Sequence, residues 1–217
     1  SGSMDGVDVR LSQGDVEALV GKLPHGKTGA YLNNKIPFVF DYADNDADVL
    51  PKSTKDLSHG THVAAIAAAN AADLQGTAPH AQIIVAKVAS DKDGSIPDNT
   101  VLAALDDAVV IKPDSINLSL GEDAGMGTEA GTMYAEVYKN LAAAGVTVNA
   151  AAGNSYSSAY SNYSGKNKPY ASDPDAGTLS EPASYSSTLA IASVNNQDAL
   201  PYLTVGERQV VYRKSRG

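Results

Sequence analysis

Apolar residues fall into short runs that alternate with helical periods from about Ile36 onward. Each run is rich in Val, Ile, Ala or Leu, which is typical of strands buried in a sheet. The predicted strands are Gln82–Ala89, Ser115–Leu120, Val146–Ala152 and Thr188–Val194.

Two helices are predicted between these strands. The first opens at Pro97-Asp98, with Asp98 as its N-cap, and ends at Lys112-Pro113. The second begins at Thr128 and ends at Gly145, which has the character of a C′ glycine. Alternation of strand and helix at this spacing predicts an α/β fold whose parallel strands are joined by right-handed crossovers.

The carboxyl ends of parallel strands are where such folds bind ligands. The segments at those ends are Ala89–Ile96, Leu120–Asp123 and Ala152–Ser155. Ser155–Asp173 is dense in Ser, Tyr, Asn and Gly without an apolar period, and predicts a long surface loop.

Charge and composition narrow the classes of partner. The 217 residues include 25 acidic and 16 basic side chains, for a formal net charge of −9. Because nucleic acid and anionic membranes attract positive charge, neither is an expected partner. No apolar stretch is long enough to cross a bilayer. The absence of cysteine excludes a disulfide framework, a thiolate zinc site and a cysteine nucleophile.

Two histidines precede an alanine-rich run that strongly favours a helix. Ser58-His59-Gly60-Thr61-His62 leads directly into residues 63–69, so we expect both imidazoles on the first turn of a buried helix. The positive end of the helix dipole favours the neutral form of a histidine, which is the form a general base needs. Gly60 would leave room for a substrate beside that base.

Other interpretations of these histidines are open. A helical zinc site needs two histidines four residues apart with a glutamate between them. His59 and His62 are three apart and enclose Gly-Thr, which argues against zinc. A histidine that only caps the start of the helix would have no chemical role.

Small residues end two of the predicted strands. Asn149–Asn154 reads Asn-Ala-Ala-Ala-Gly-Asn, which presents an amide at a strand tip, where it can donate to a developing oxyanion. An ordinary turn asparagine is the alternative. Ile116–Gly121 predicts either a plain central strand or one whose end, bare at Gly121, pairs with an extended peptide.

Four segments, taken together, resemble the subtilisin-like serine proteases in order and spacing. They are SHGTHVAAIAA at 58–68, GTAPHAQIIVAKV at 76–88, INLSLG at 116–121 and NAAAGN at 149–154. Residues 33–49 further resemble the large cell-envelope proteinases of Gram-positive bacteria, the lactocepin and streptococcal complement-peptide peptidase group. The resemblance implies a three-layer α/β/α fold with a mostly parallel sheet, here incomplete, in a secreted or cell-surface enzyme.

The resemblance also implies roles for particular residues. His59 matches the general base, His62 a structural histidine and Asn154 the oxyanion donor. Polypeptide is the implied substrate. The residues implied to bind it are Ser119, Leu120, Gly121, Ala151, Ala152 and Gly153, with Gly94, Ser95 and Ile96 as an opposite edge strand.

Domain boundaries follow from the same resemblance. Residues 4–197 are expected to be a partial catalytic domain, and residues 198–217 the start of an inserted protease-associated domain or a linker. Ser1-Gly2-Ser3, ahead of Met4, is typical of a cloning remnant. No signal peptide follows it, because residues 4–32 hold polar and charged side chains throughout.

Two of the three triad residues of this family are expected to be missing. The Asp belongs in a Val-x-Val-x-Asp-Ser/Thr-Gly strand before His59, and no segment from Met4 to Ser58 has that pattern. The Ser belongs in Gly-Thr-Ser-Met-Ala, whereas Gly177-Thr178 is followed by leucine. The chain is therefore predicted to be a protease fragment that is inactive alone.

Other functions stay open beside that prediction. A non-catalytic binding or scaffold module derived from a protease is the main alternative. A nucleotide-binding domain would need Gly-x-Gly-x-x-Gly after an early strand, and in Gly121–Gly127 the acidic pair would repel a pyrophosphate. Sheet edges left unpaired by a missing first strand predict self-association.

No cofactor is predicted, although calcium is considered because family members often bind it. Asp44–Asp48 has alternating oxygen donors like the start of a calcium loop but lacks the later Gly and Glu of an EF-hand. A solvated acidic loop is the expected interpretation.

Overall fold

The computed structural model describes residues 6–51, 58–122, 129–154 and 179–193, together with the backbone of 202–205 and 208–211. The chain divides into two units, each described here by itself. The first contains residues 1–114 and 136–146, and the second contains residues 115–135 and 147–217. The predicted loop at Ser155–Asp173 lies outside the described residues.

The first unit combines helices with a pair of parallel strands. Strand β1 pairs with β2 in a register that runs from Phe38 opposite Ile84 to Asp41 opposite Lys87. The described elements of this unit are α1 (Gln13–Val20), β1 (Phe38–Asp41), α2 (His59–Ala68), β2 (Ile84–Lys87), α3 (Asp98–Ile111) and all but the first residue of α4 (Ala135–Ala143).

A hydrophobic core forms where α1 and α3 contribute side chains that pack with β1. Val16 and Leu23 are 1% exposed and pack with Phe38, Phe40 and Ile111. Burial of such aliphatic and aromatic side chains is the main favourable term in folding. Packing on the apolar face of its sheet therefore stabilises the α/β arrangement of this unit. The carboxyl ends of β1 and β2 carry the polar residues Asp41 and Lys87.

A buried carboxylate connects α3 to the loop before β1. Asp107 is fully buried and accepts hydrogen bonds from the backbone N–H groups of His25 (3.0 Å) and Gly26 (2.6 Å). It also accepts one from the Tyr42 hydroxyl at 2.8 Å. Burial, followed by the contact with Asp107, raises the pKa of Tyr42 well above its ordinary value.

The second unit holds a three-stranded parallel sheet with the order β3 (Ser115–Leu118), β4 (Thr147–Ala151) and β5 (Leu189–Ile191). Leu118, Val148 and Ala150 are buried on one face of this sheet. β6 (Tyr202–Val205) and β7 (Arg208–Val211) form an antiparallel pair.

The predicted α/β class is confirmed, because helices alternate along the chain with strands that pair in parallel. Each predicted strand is present within its expected range, although the strands are shorter than the apolar runs. Helix α1 was not predicted. It begins with a capping box in which the Ser12 hydroxyl accepts from the Asp15 N–H while the Asp15 carboxylate accepts from the Ser12 N–H.

Helix α3 opens at Pro97-Asp98 as predicted, although its N-cap is one residue earlier than expected, and the predicted start of α4 at Thr128 is wrong. The N-cap of α3 is Pro97, and Asp98 is the first helical residue. Helix α4 begins at Ala135, after a turn in which Gly131 has φ +85° and the Thr132 hydroxyl donates to the Glu129 carbonyl at 2.6 Å. A residue with positive φ cannot belong to a right-handed helix, so α4 begins only after this turn.

The expected burial of α2 is also wrong. Residues His59–His62 are exposed, and Ala68 is its buried residue. Alanine favours a helix whether it is buried or exposed. The alanine-rich pattern therefore predicts that this helix is present, but it does not predict whether the helix is buried.

Among the residues that the structure describes, every helix is too short or too polar to cross a bilayer.

Candidate active site

His59 is the first residue of α2, and Ser58 is the N-cap. The His62 N–H donates to the Ser58 carbonyl at 3.0 Å, so both histidines lie on the first turn, as predicted. The N-cap Ser58 makes no side-chain cap hydrogen bond. His59 and His62 are both exposed.

The end of α2 is fixed by the Gly76–Ala78 segment. The N–H groups of Gly76, Thr77 and Ala78 donate to the Ala69, Ile66 and Ala67 carbonyls at 2.8–3.0 Å. These bonds satisfy carbonyls that the last turn of a helix leaves unpaired. A Cβ on Gly76 would lie 2.5 Å from the Ala68 nitrogen, so only glycine fits this approach.

The carboxyl ends of β3 and β4 are adjacent because the two strands pair in parallel, with Leu118 opposite Ala150. Ser119–Gly121 and Ala151–Gly153 follow directly, and the structure therefore brings these two predicted pocket walls together. Gly153 has φ +104°, a conformation that requires glycine and turns the chain away from the strand. Asn154 follows this turn and is exposed.

A segment far along the chain ties the two strand ends to each other. The Glu122 and Glu181 backbones exchange hydrogen bonds of 3.0 and 2.8 Å, while the Ser180 N–H donates to the Ala152 carbonyl at 3.0 Å. The Ser180 hydroxyl donates to the Ala151 carbonyl at 2.8 Å. We call Ser180-Glu181 the clasp.

The clasp changes two interpretations of the sequence. Gly121 is not a bare end, since a Cβ there would lie 2.5 Å from the Glu181 carbonyl oxygen. Glu122 already pairs with the clasp through its backbone. Ser180 is 2% exposed and bonded to Ala151, so its hydroxyl is a structural group in this site.

Sequence reasoning missed the clasp for a physical reason. Ser180 and Glu181 carry no local pattern that links them to strands 27 or more residues earlier. Their partners are backbone groups, which every residue possesses. The signal that existed was Glu181-Pro182, which indicates a turn rather than a long-range pairing.

Gly94–Ile96 form part of a turn and not the predicted edge strand. The Gly94 N–H donates to the Ser90 carbonyl and the Ser90 N–H donates to the Ser95 carbonyl, both at 2.9 Å. Gly94 has φ +75°, which closes this turn. Since the turn has no strand pairing, the substrate-binding role of these residues stays a prediction.

Three carboxylates, from Asp41, Asp44 and Asp91, lie within 4.8 Å of one another. The Lys87 ammonium contacts all of them, at 2.8 Å from Asp91, 3.3 Å from Asp44 and in direct contact with Asp41. Burial alone lowers the pKa of Lys87, but the hydrogen bonds to these carboxylates outweigh it and raise that pKa above its ordinary value. The Lys87 ammonium therefore offsets part of the negative charge of this cluster.

The Asp44–Asp48 loop uses its carboxylates in its own turns. Asp46 accepts from the Asp48 N–H at 2.8 Å, and Asp48 accepts from the Leu50 N–H at 3.1 Å. Asp44 accepts from the Asp91 N–H at 2.8 Å. These bonds account for the alternating acidic residues as turn formers.

Helices that alternate along the chain with strands paired in parallel define an α/β protein. The sequence profile of the subtilase family matches residues 26–214. The chain belongs to the subtilase family.

The curated relatives of the chain are proteinases. It is 35% identical over 204 residues to the PI-type proteinase of Lactococcus lactis subsp. cremoris. The matched region covers 90% of this chain and 10% of that protein. It is 30% identical over 181 residues to the C5a peptidase of Streptococcus pyogenes serotype M6, in a match that covers 79% of this chain and 14% of that protein. The chain thus spans about a tenth of the length of the first relative.

A solved structure supports the same fold. The S41 psychrophilic protease is 26% identical to this chain, with a TM-score of 0.51, over 76% of this chain and 50% of that one.

Proposed function

We propose that the chain supplies part of the catalytic centre of a serine endopeptidase. His59 acts as the general base that removes a proton from the attacking serine hydroxyl, and the Asn154 amide donates to the oxyanion that follows. The observation that carries this proposal is the parallel pairing of β3 with β4, which puts Ser119–Gly121 beside Ala151–Gly153, with Asn154 next along the chain. A peptide pocket and an uncharged oxyanion donor at one sheet edge suit acyl transfer.

We further propose that these 217 residues do not hydrolyse peptide bonds alone. They contain neither the aspartate motif nor the serine motif of the family. Ser180, which lies beside the ends of β3 and β4, is buried and donates to a carbonyl, which does not suit a nucleophile. In this proposal the Asp and Ser are supplied by other parts of the whole protein.

Labelling with a fluorophosphonate tests this proposal, because the reagent reacts with an activated serine. We expect no labelling of the 217-residue chain and labelling of the full-length protein. Labelling that persists in the 217-residue chain would show a nucleophile within it. A full-length protein that stays unlabelled would contradict the peptidase proposal.

A non-catalytic binding or scaffold module is the second candidate, favoured by the missing triad motifs. It predicts peptide binding by the full-length protein without fluorophosphonate labelling. The parent protein is proposed to be secreted or attached to a Gram-positive cell envelope, with polypeptide as its substrate. No cofactor is proposed, and calcium at Asp44–Asp48 is the less favoured alternative to a solvated acidic loop.

Self-association through sheet edges also belongs to this proposal. In the described residues β3 and β5 each pair with β4 only, so each is an edge strand of its sheet. An edge strand offers backbone groups to another copy of the chain. Sedimentation velocity is expected to show a concentration-dependent dimer, and a single monomer peak at all concentrations would contradict this.

A further inference from the structure

Lys35 is a buried lysine in the loop that precedes β1. It is 5% exposed, and its ammonium donates to the Pro79 carbonyl at 2.7 Å and to the Ala81 carbonyl at 2.5 Å. Its own backbone carbonyl accepts from the Ile83 N–H at 2.8 Å. A cation that is kept from water needs such acceptors to replace its hydration. Lys35 therefore holds residues 79–83 through both its side chain and its backbone.

The residues that Lys35 holds continue the segment that ends α2. The Ala81 N–H donates to the Ala78 carbonyl at 3.1 Å, and the Ala78 N–H donates in turn to the Ala67 carbonyl of the helix at 2.8 Å. Helix α2 gains little from packing, since Ala68 is its buried residue. Because most helices in proteins are stabilised by packing of an apolar face, the backbone bonds at the end of α2 matter more than usual to its placement.

We propose that Lys35 is a positioning residue for His59. The inference rests on the proposed function, which assigns the general base to His59. The ammonium fixes residues 79–81, residues 76–78 fix the last turn of α2, and the helix transmits that placement to His59 over about 14 Å. A displacement of a catalytic group by about 1 Å lowers turnover by about a hundredfold. The hydrogen-bond partners of Lys35 lie outside the proposed substrate-binding segments, so its loss is expected to act on turnover and not on substrate binding.

The test compares kcat and KM for peptide hydrolysis by the full-length protein, at a temperature where circular dichroism shows each variant to be folded. Lys35→Met removes the donors and leaves two carbonyls without their partner, so kcat is expected to fall about tenfold while KM stays within about twofold of wild type. Lys35→Gln keeps one donor group and is expected to lose about threefold in kcat. It decides the test if Lys35→Met does not fold. An unchanged kcat, or a loss that appears only in KM, overturns the inference.

Asp107→Asn is the matched control. Asp107 is a second buried charged residue of the same unit, and it accepts hydrogen bonds from two backbone N–H groups and from the Tyr42 hydroxyl. None of these three partners belongs to residues 76–83 or to α2. The control therefore destabilises the unit without loosening the end of α2, and its kcat is expected to stay within about twofold of wild type. Equal losses of kcat in the Asp107 and Lys35 variants would mean a general loosening and would overturn the inference.

Amide hydrogen exchange of residues 59–68, measured on the same variants, separates this inference from the proposed function because it does not depend on hydrolysis. We expect faster exchange in the Lys35 variants than in Asp107→Asn. Hydrolysis whose kcat is insensitive to Lys35 overturns the inference and leaves the peptidase proposal standing. Absent hydrolysis by wild type, with faster exchange of α2 in the Lys35 variants, overturns the peptidase proposal and supports the coupling of Lys35 to α2. Absent hydrolysis with unchanged exchange overturns both.

Discussion

Asp107 connects helix α3 to the segments on both sides of β1 through one buried carboxylate. Its carboxylate is fully buried and receives two backbone donors and the Tyr42 hydroxyl. Its neighbour Asp106 is half exposed and contacts only the His25 ring, at 3.2 Å. The two acidic residues are adjacent in sequence and have opposite environments, because successive helical positions face different directions.

Asp107→Asn is expected to lower the free energy of unfolding by about 3 kcal/mol. The amide –NH₂ replaces one carboxylate oxygen and cannot accept the hydrogen bonds that are made to that oxygen. Asp106→Asn is the matched control and is expected to cost less than about 1 kcal/mol, because exposed ion pairs contribute little. Urea unfolding measures both. Equal losses in the two variants would contradict the role assigned to Asp107.

At the scale of elements, Lys87 joins the ends of β1 and β2. Since its folded pKa is raised above the ordinary 10.5, the stability that it contributes is fully present below about pH 10. That stability is lost as pH rises through the folded pKa, where the ammonium loses its proton.

Lys87→Met is therefore expected to be destabilised relative to wild type by a constant amount below about pH 10, with the difference shrinking at higher pH. Urea unfolding between pH 7 and 11.5 measures it. Lys139→Met is the control, because that side chain is 76% exposed and 4.0 Å from Glu136, and its effect is expected to be small at every pH. A Lys87→Met difference that does not shrink at high pH would rule out this account.

Helix α4 ends in a conformation that favours glycine. Gly145 has φ +79°, and the Val146 N–H donates to the Leu141 carbonyl at 3.0 Å, as in a Schellman motif. A Cβ at Gly145 would meet nothing within 4 Å, so substitution there is costly only through the backbone.

Gly145→Ala is thus expected to cost about 1 kcal/mol of unfolding free energy. Gly21→Ala is the control: Gly21 also has open space around it but has φ −65°, so alanine is expected to be neutral or slightly stabilising. Thermal unfolding distinguishes them. If both substitutions have the same effect, the left-handed conformation is not what selects glycine at position 145.

The elements also show where sequence patterns suffice. The end of α4 was predictable because a C′ glycine is a local signal. Its start was not, because the turn at Gly131 interrupts an apolar period that continues through it. The environment of α2 depends on what packs against it, which alanine content does not encode.

At the scale of the whole molecule, some residues of the candidate site were predictable from the sequence and others were not. His59 and Asn154 were predictable as candidates because each lies in a short motif at the start of a helix or the end of a strand. The clasp was not predictable, because Ser180-Glu181 reaches the strand ends through backbone hydrogen bonds across the sequence. Short motifs in a single sequence indicate candidate catalytic residues, whereas backbone hydrogen bonds between distant segments become evident only in the folded structure.

The central proposal is that His59 and Asn154 each serve peptide hydrolysis by the full-length protein. In subtilisin, loss of the histidine costs about a millionfold in kcat, and loss of the oxyanion amide costs about a hundred- to a thousandfold. The most direct measurement is kcat for peptide hydrolysis by the full-length protein carrying His59→Ala, Asn154→Ala or, as a control, His80→Ala. We predict nearly complete loss, a hundredfold or greater loss, and no change, respectively. Wild-type kcat in the His59→Ala protein would contradict the account.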